Sequence, residues 1–150
     1  MTSNSPRGFT LLIAVILTSV LLSVGLSIVD TAYKQLILAS TAKQSDIAFY
    51  IADSALECAL YHDQKIGSFS YNTPAVSIVC SGQTLVLSST VDATTRITTV
   101  SIPCATGSGT QAKVTVYKAT NGVTSLYTTG YSSCNEGDPR RVERGLKVSY

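Results

Sequence analysis

The sequence predicts an α+β protein, with one long N-terminal helix followed by a small antiparallel β-rich domain. Three observations carry this expectation. Residues 9–29 contain no ionisable side chain. After them, and as far as about residue 60, apolar residues recur at spacings of three and four, the period of one helix face. From residue 76 the spacing falls to two, and turn residues separate short runs.

Composition narrows the class further. Only 13% of the 150 residues are charged while 45% are hydrophobic, which excludes a disordered, solvating chain. Ser and Thr supply about a quarter of the chain, which suits the exposed face of a sheet. The net charge of +2 comes from scattered residues, whereas a nucleic-acid grip needs Lys and Arg gathered on one face. One His, one Met and no Trp leave little material for a metal centre or a catalytic triad. Accordingly no cofactor, no metal and no catalysed reaction are expected.

Taken in order, residues 1–8 (MTSNSPRG) form a short polar leader whose only charged side chain is Arg7. Residues 9–29, as a helix, would span about 31 Å, the thickness of a bilayer's hydrocarbon core. A positive charge ahead of this segment, with no acidic residue before Asp30, predicts a cytoplasmic N-terminus and a single-pass topology. Gly25 with Thr10, Thr18, Ser19, Ser23 and Ser27 would permit close helix packing. A cleaved secretory signal is disfavoured, because its apolar run is shorter and ends at a small-x-small site.

Residues 30–62 read as an amphipathic continuation of the same helix, with Ala48, Phe49, Ala52, Ala55, Leu56, Ala59 and Leu60 as its stripe and Lys43, Asp46 and Asp53 off it. Ile51, Ala55 and Cys58 follow one flank. Gly67 is the first plausible stop, and Asn72-Thr73-Pro74 confirms that the chain has left the helix. Residues 63–150 are then the β-rich domain. The expected strands are 76–80, 84–91, 95–102, 112–118, 125–130 and 141–150. Leu85, Leu87 and Val91 share one face, as do Val114 and Val116, and Leu146, Val148 and Tyr150. Asp92-Ala93-Thr94 and Asn121-Gly122 mark hairpin turns, the second being the stronger signal. Poor alternation in 95–102 (Ile97 against Val100 and Ile102) points to a bulge or a misread strand.

All four cysteines lie beyond the apolar segment, in the part expected outside the cell membrane, where disulfides persist. Of three pairings, Cys58–Cys80 and Cys104–Cys134 are favoured. The first ties the helix end to the first strand, and the second closes a loop worth about 3–4 kcal/mol on the chain-entropy model. Zinc held by four thiolates is disfavoured, because no closely spaced cysteine pair is present.

At the leader junction, Ser5-Pro6-Arg7-Gly8-Phe9-Thr10-Leu11-Leu12 resembles the class III signal of type IV prepilins and pseudopilins. The stretch Ala48-Phe49-Tyr50-Ile51-Ala52-Asp53-Ser54-Ala55-Leu56-Glu57 is similar to A-F-Y-x-A-[DE]-S-x-x-E of PilX-type minor pilins. The resemblance covers roughly residues 5–62. It implies cleavage by prepilin peptidase between Gly8 and Phe9, N-methylation of Phe9, storage in the cytoplasmic membrane, and assembly into an extracellular or periplasmic filament. The implied partners are other pilin subunits, met through the N-terminal helix, together with the assembly platform and its ATPase. One departure bears on role. Most major pilins carry Glu as fifth residue of the mature chain, where Ile13 stands here. In that family the carboxylate pairs with the N-terminal ammonium of a neighbouring subunit. Its absence implies a minor, tip or priming subunit. The competing class is a single-span, membrane-anchored extracellular binding or adhesion module that does not polymerise, and a third is a secreted enzyme cut free beyond Val29.

The other chemistry-bearing residues have plainer readings. His62 beside Asp63 reads as a cation at a helix C-terminus rather than a catalytic base. Asp53 and Glu57 share a helix face and read as a solvated or subunit-facing edge. Arg140, Arg141, Arg144 and Lys147, with Glu143, read as charges guarding an edge strand, ahead of DNA capture. Tyr117, Tyr127 and Tyr131 on Ser/Thr-rich strands read as the outer face of a sheet, ahead of glycan binding. Gly107-Ser108-Gly109 is too isolated for a phosphate loop.

Overall fold

The computed structural model describes residues 7–105 and 109–150. Most of the expected leader, and Gly107-Ser108, therefore lie outside the described residues. The observed architecture is α+β. A single helix, α1 (Arg7–Tyr61), runs without interruption through both the apolar and the amphipathic stretches. One π-turn, His62–Ile66, follows and ends at Gly67, whose φ of 73° gives the left-handed cap. The amide of Gly67 donates to the carbonyl of His62 there. The expected helix stop is thus realised in its usual chemistry.

The chain divides into two units. The first ends at Ser40 and, in its described part, is α1 alone. The second, Thr41–Tyr150, holds the last turns of α1 and all the strands.

In the second unit, β1 (Ser77–Cys80) and β2 (Gln83–Val86) form a two-stranded hairpin. Both residues of its turn, Ser81 and Gly82, have positive φ, the twist that a two-residue hairpin loop requires. Five further strands make an antiparallel meander in chain order: β3 (Ser88–Asp92), β4 (Thr95–Pro103), β5 (Thr110–Ala119), β6 (Thr124–Tyr131) and β7 (Glu143–Ser149). Ala93-Thr94 turns β3 into β4, and Gly122, at φ 89°, lies in the turn from β5 to β6.

Two expectations are corrected here. The run 84–91 is two strands in two different sheets: β2 pairs with β1, and after Leu87 the chain leaves to pair with β4. Leu85 is buried, but Val91, on edge strand β3, is exposed. The poor alternation of β4 has a different cause from a mid-strand bulge. Thr98 and Val100 are both buried on its core face, so a polar residue occupies an inward position. The only register shift along its pairing with β5 falls at the end, between Ile102 and Pro103.

The core lies between residues 48–59 of α1 and the inner face of the sheets. Ala48, Ala52, Ala55, Leu56 and Ala59 are buried, with Phe69, Ile78, Leu85, Val100, Val114, Val116 and Leu126 opposite. Phe49, expected in the stripe, is exposed instead and meets Tyr50 edge-on. Small residues on the buried helix face let the two backbones come together. A Cβ on Gly130 of β6 would stand 2.2 Å from the carbonyl oxygen of Ala48 and 2.5 Å from the amide nitrogen of Ala52. Only glycine fits that position.

Candidate functional site

The expected functional residues fall on two surfaces, one in each unit. In the first unit, every residue from 9 to 40 is exposed along α1. Its apolar part reaches a mean hydropathy of 2.6 with none of that stretch buried, so the protein has one N-terminal helix long and apolar enough to cross a membrane. Gly8 and Phe9 both lie within α1, and the Phe9 ring is exposed. Ile13 presents an aliphatic side chain at its position, exposed like its neighbours.

Four hydroxyls of this helix turn inward onto its own backbone. Thr18 donates to the carbonyl of Ala14 at 3.0 Å, Ser19 to Ile16 at 2.8 Å, Ser23 to Val20 at 2.8 Å and Thr31 to Ser27 at 3.0 Å. An internally bonded hydroxyl costs little in hydrocarbon, whereas an unpaired one costs several kcal/mol, roughly 2–7. Just past the apolar run, Lys34 and Asp30 form an i,i+4 ion pair at 2.7 Å. The first charges of the chain beyond Arg7 therefore neutralise each other.

In the second unit all four cysteines are paired as favoured, Cys58 with Cys80 and Cys104 with Cys134. Cys58–Cys80 joins α1 to β1. His62, one helical turn after Cys58, does not behave as a cap for its own helix. Its Nε2–H donates to the carbonyl of Val79 at 3.0 Å, and its Nδ1 lies 3.3 Å from the Ser68 hydroxyl. The ring is a buried cross-link between helix end and β1. Cys58, His62 and Cys80 cluster tightly enough to suggest metal ligands, but the two sulfurs are already bonded to each other.

The one buried charge network among the described residues was not legible in the sequence. Asp63, with a side chain 2% exposed, accepts from Lys118 Nζ at 2.5 Å and from the Tyr150 hydroxyl at 2.6 Å. These partners lie 55 and 87 residues away, beyond any local pattern. Burial first, and then the hydrogen bond to Asp63 and its negative charge, pushes the Tyr150 hydroxyl well above the usual tyrosine range. The network fastens the helix end to β5 and to the segment after β7.

Asp53 and Glu57 remain on the rim of α1, half-buried and exposed respectively. The basic cluster is dispersed rather than gathered. Arg144 Nε donates to Ser45 Oγ on α1 at 2.7 Å, Arg141 stacks 4.0 Å over Tyr131, and Lys147 sits 5.0 Å over Tyr127. β7 is the edge of the meander, so Glu143 and Lys147 stand where an edge needs charge. Tyr117 and Tyr127 meet at 78° with their centroids 5.4 Å apart on the outer face.

Comparison of this chain with protein-family models, with curated proteins and with solved structures finds no match.

Proposed function

We propose that the protein is a structural subunit of a type IV pilus-like or type II secretion-like filament, with a minor, tip or priming position in it. One observation carries the reading. A single continuous helix has a first part that is apolar and wholly exposed and a last part that is buried on a sheet. An exposed apolar helix must be covered, either by lipid or by other helices. Self-satisfied hydroxyls allow both environments, which suits a helix that leaves a bilayer for the interior of a filament.

The leader-like junction at Gly8–Phe9 supplies the means: prepilin peptidase removes residues 1–8 and Phe9 becomes a methylated N-terminus. The N-terminus faces the cytoplasm and the disulfide-bonded unit faces outward. Residues 9–29 hold no carboxylate to receive a neighbour's ammonium, and Ile13 stands where most shaft subunits have one. A subunit that starts or caps a filament does not need that pair. The chain itself catalyses nothing; the peptidase acts on it, and a platform with its ATPase supplies the work of assembly.

Intact-mass and N-terminal peptide analysis of protein isolated from native membranes or sheared filaments tests this reading. A chain beginning at N-methylated Phe9 is expected. Retention of residues 1–8 would favour a static, non-polymerising anchor, and a start beyond Val29 would overturn the filament reading.

A further inference from the structure

We infer that the outer face of the five-stranded sheet binds an acidic polysaccharide, with a saturated sugar ring seated in the corner formed by Tyr117 and Tyr127. Strand register puts this face opposite to the core. Val114, Val116, Leu126 and Thr128 point inward, so Tyr117 and Tyr127 point out. The two rings line a shallow cleft with Thr95, Val123 and Ser125. They are 37% and 41% exposed, so each retains an open surface.

The shape of the corner selects among ligands. A nucleobase is flat and stacks between or upon parallel faces. Here the rings stand at 78°, offering one face and one edge, which leaves no parallel sandwich. A pyranose is thick, with C–H groups on its faces and hydroxyls around its rim. It can lay C–H groups on one ring while its hydroxyls meet the hydroxyls of Thr95 and Ser125. Ser125 Oγ already bonds Ser149 Oγ at 2.9 Å, but a hydroxyl carries one donor and two acceptor sites, so capacity remains.

Charge selects the acidic member of the class. Lys147 lies directly across from Tyr127 in the register and holds its ammonium 5.0 Å over that ring. Lys113 is on the same face farther along β5, and Arg141 covers Tyr131. Of the acidic residues of this face, Glu143 sits at the far end of edge strand β7, and Asp92 of edge strand β3 lies directly across from Thr95, on the side of the cleft away from Lys147. Lys113 and Lys147 make the Tyr127 side of the cleft cationic, and a carboxylate carried by the sugar would meet Lys147 there.

The test uses the full chain in zwitterionic micelles, titrated with alginate oligosaccharides, with neutral dextran and a single-stranded oligonucleotide as comparison ligands. Because the chain has no Trp, its emission is that of eight tyrosines, and the part of the ligand response lost in Tyr117→Ala and Tyr127→Ala belongs to the site. Alginate is expected to bind saturably. Tyr117→Ala and Tyr127→Ala are expected to weaken it by about tenfold or more, a change of about 1.4 kcal/mol. Lys147→Gln is expected to weaken it about two- to fivefold, in keeping with an exposed ion pair. Far-ultraviolet circular dichroism confirms that each variant remains folded. Absence of alginate binding, binding insensitive to both tyrosine substitutions, or tighter tyrosine-dependent binding of the oligonucleotide would each overturn the inference. None of these outcomes depends on whether residues 1–8 are removed.

Discussion

Replacing Gly130 with alanine tests the helix-on-sheet contact at its tightest point. The added Cβ would lie 2.2 Å from the Ala48 carbonyl oxygen, 2.5 Å from the Ala52 nitrogen and 3.1 Å from the Ala52 Cα. A carbon and an oxygen settle no closer than about 3.3 Å, so α1 must retreat by about 1 Å over this stretch. That retreat loosens the buried faces of Ala48, Ala52 and Ala55 together, at a cost of about 2–3 kcal/mol. The alanine also removes freedom from the unfolded chain, which offsets about 0.4–1 kcal/mol. The net expected loss is about 1–2.6 kcal/mol, seen as a fall of about 4–10 °C in the midpoint of thermal unfolding followed by circular dichroism. Gly145→Ala is the matched control, since its Cβ would meet only the Thr128 carbonyl oxygen, at an ordinary 3.5 Å. Adding Ala48→Gly to Gly130→Ala should restore nothing, because the obstacle is backbone. A Gly130→Ala midpoint equal to that of Gly145→Ala, or recovery in the double variant, would refute this account of the packing.

Asp63→Asn leaves the Lys118 ammonium without its buried counter-charge and is expected to cost about 2–4 kcal/mol by denaturant unfolding. Asp63→Asn combined with Lys118→Met should recover much of that loss, and strict additivity of the two would argue against a coupled pair. Removing Cys58–Cys80 by the paired serine substitution should cost about 3 kcal/mol, with the larger effect on protease resistance near residues 58–80, where the bridge joins α1 to β1. Tyr150 titrates higher when folded than its ordinary value of about 10, so its contribution is complete below pH 10 and is lost as pH rises towards the folded value. Stability should therefore fall more steeply above pH 10 in the native protein than in Tyr150→Phe, and parallel curves would remove Tyr150 from the account.

Local rules carried much of the fold into the sequence. The apolar run, the helix stop at Gly67, the hairpin signals at Ala93-Thr94 and Asn121-Gly122, and the inward pair Val114 and Val116 are each set by residues within a few positions of one another. Chain order made the favoured cysteine pairing legible too, because Cys58–Cys80 joins α1 to β1, the first strand after it, and leaves Cys104 for Cys134. The leader-like junction is likewise a sequence property, and no tertiary contact is needed to read it.

Tertiary structure alone decided the rest. Residues 84–91 alternate as a single strand would, but hydrogen-bond partners divide them, β1 for the first part and β4 for the second. Thr98, Thr124 and Thr128 are buried because their neighbours place them over the core, although their composition suits an outer face equally well. Gly130 looks like any strand glycine until the backbone of α1 arrives within contact of it. Asp63 looks like a solvated residue at a helix end until Lys118 and Tyr150 reach it from the sheet. Periodicity registers which face of an element is apolar, because that depends on neighbours along the chain. Which element covers that face, how closely, and which distant charge it encloses depend on contacts that exist only once the chain has closed on itself.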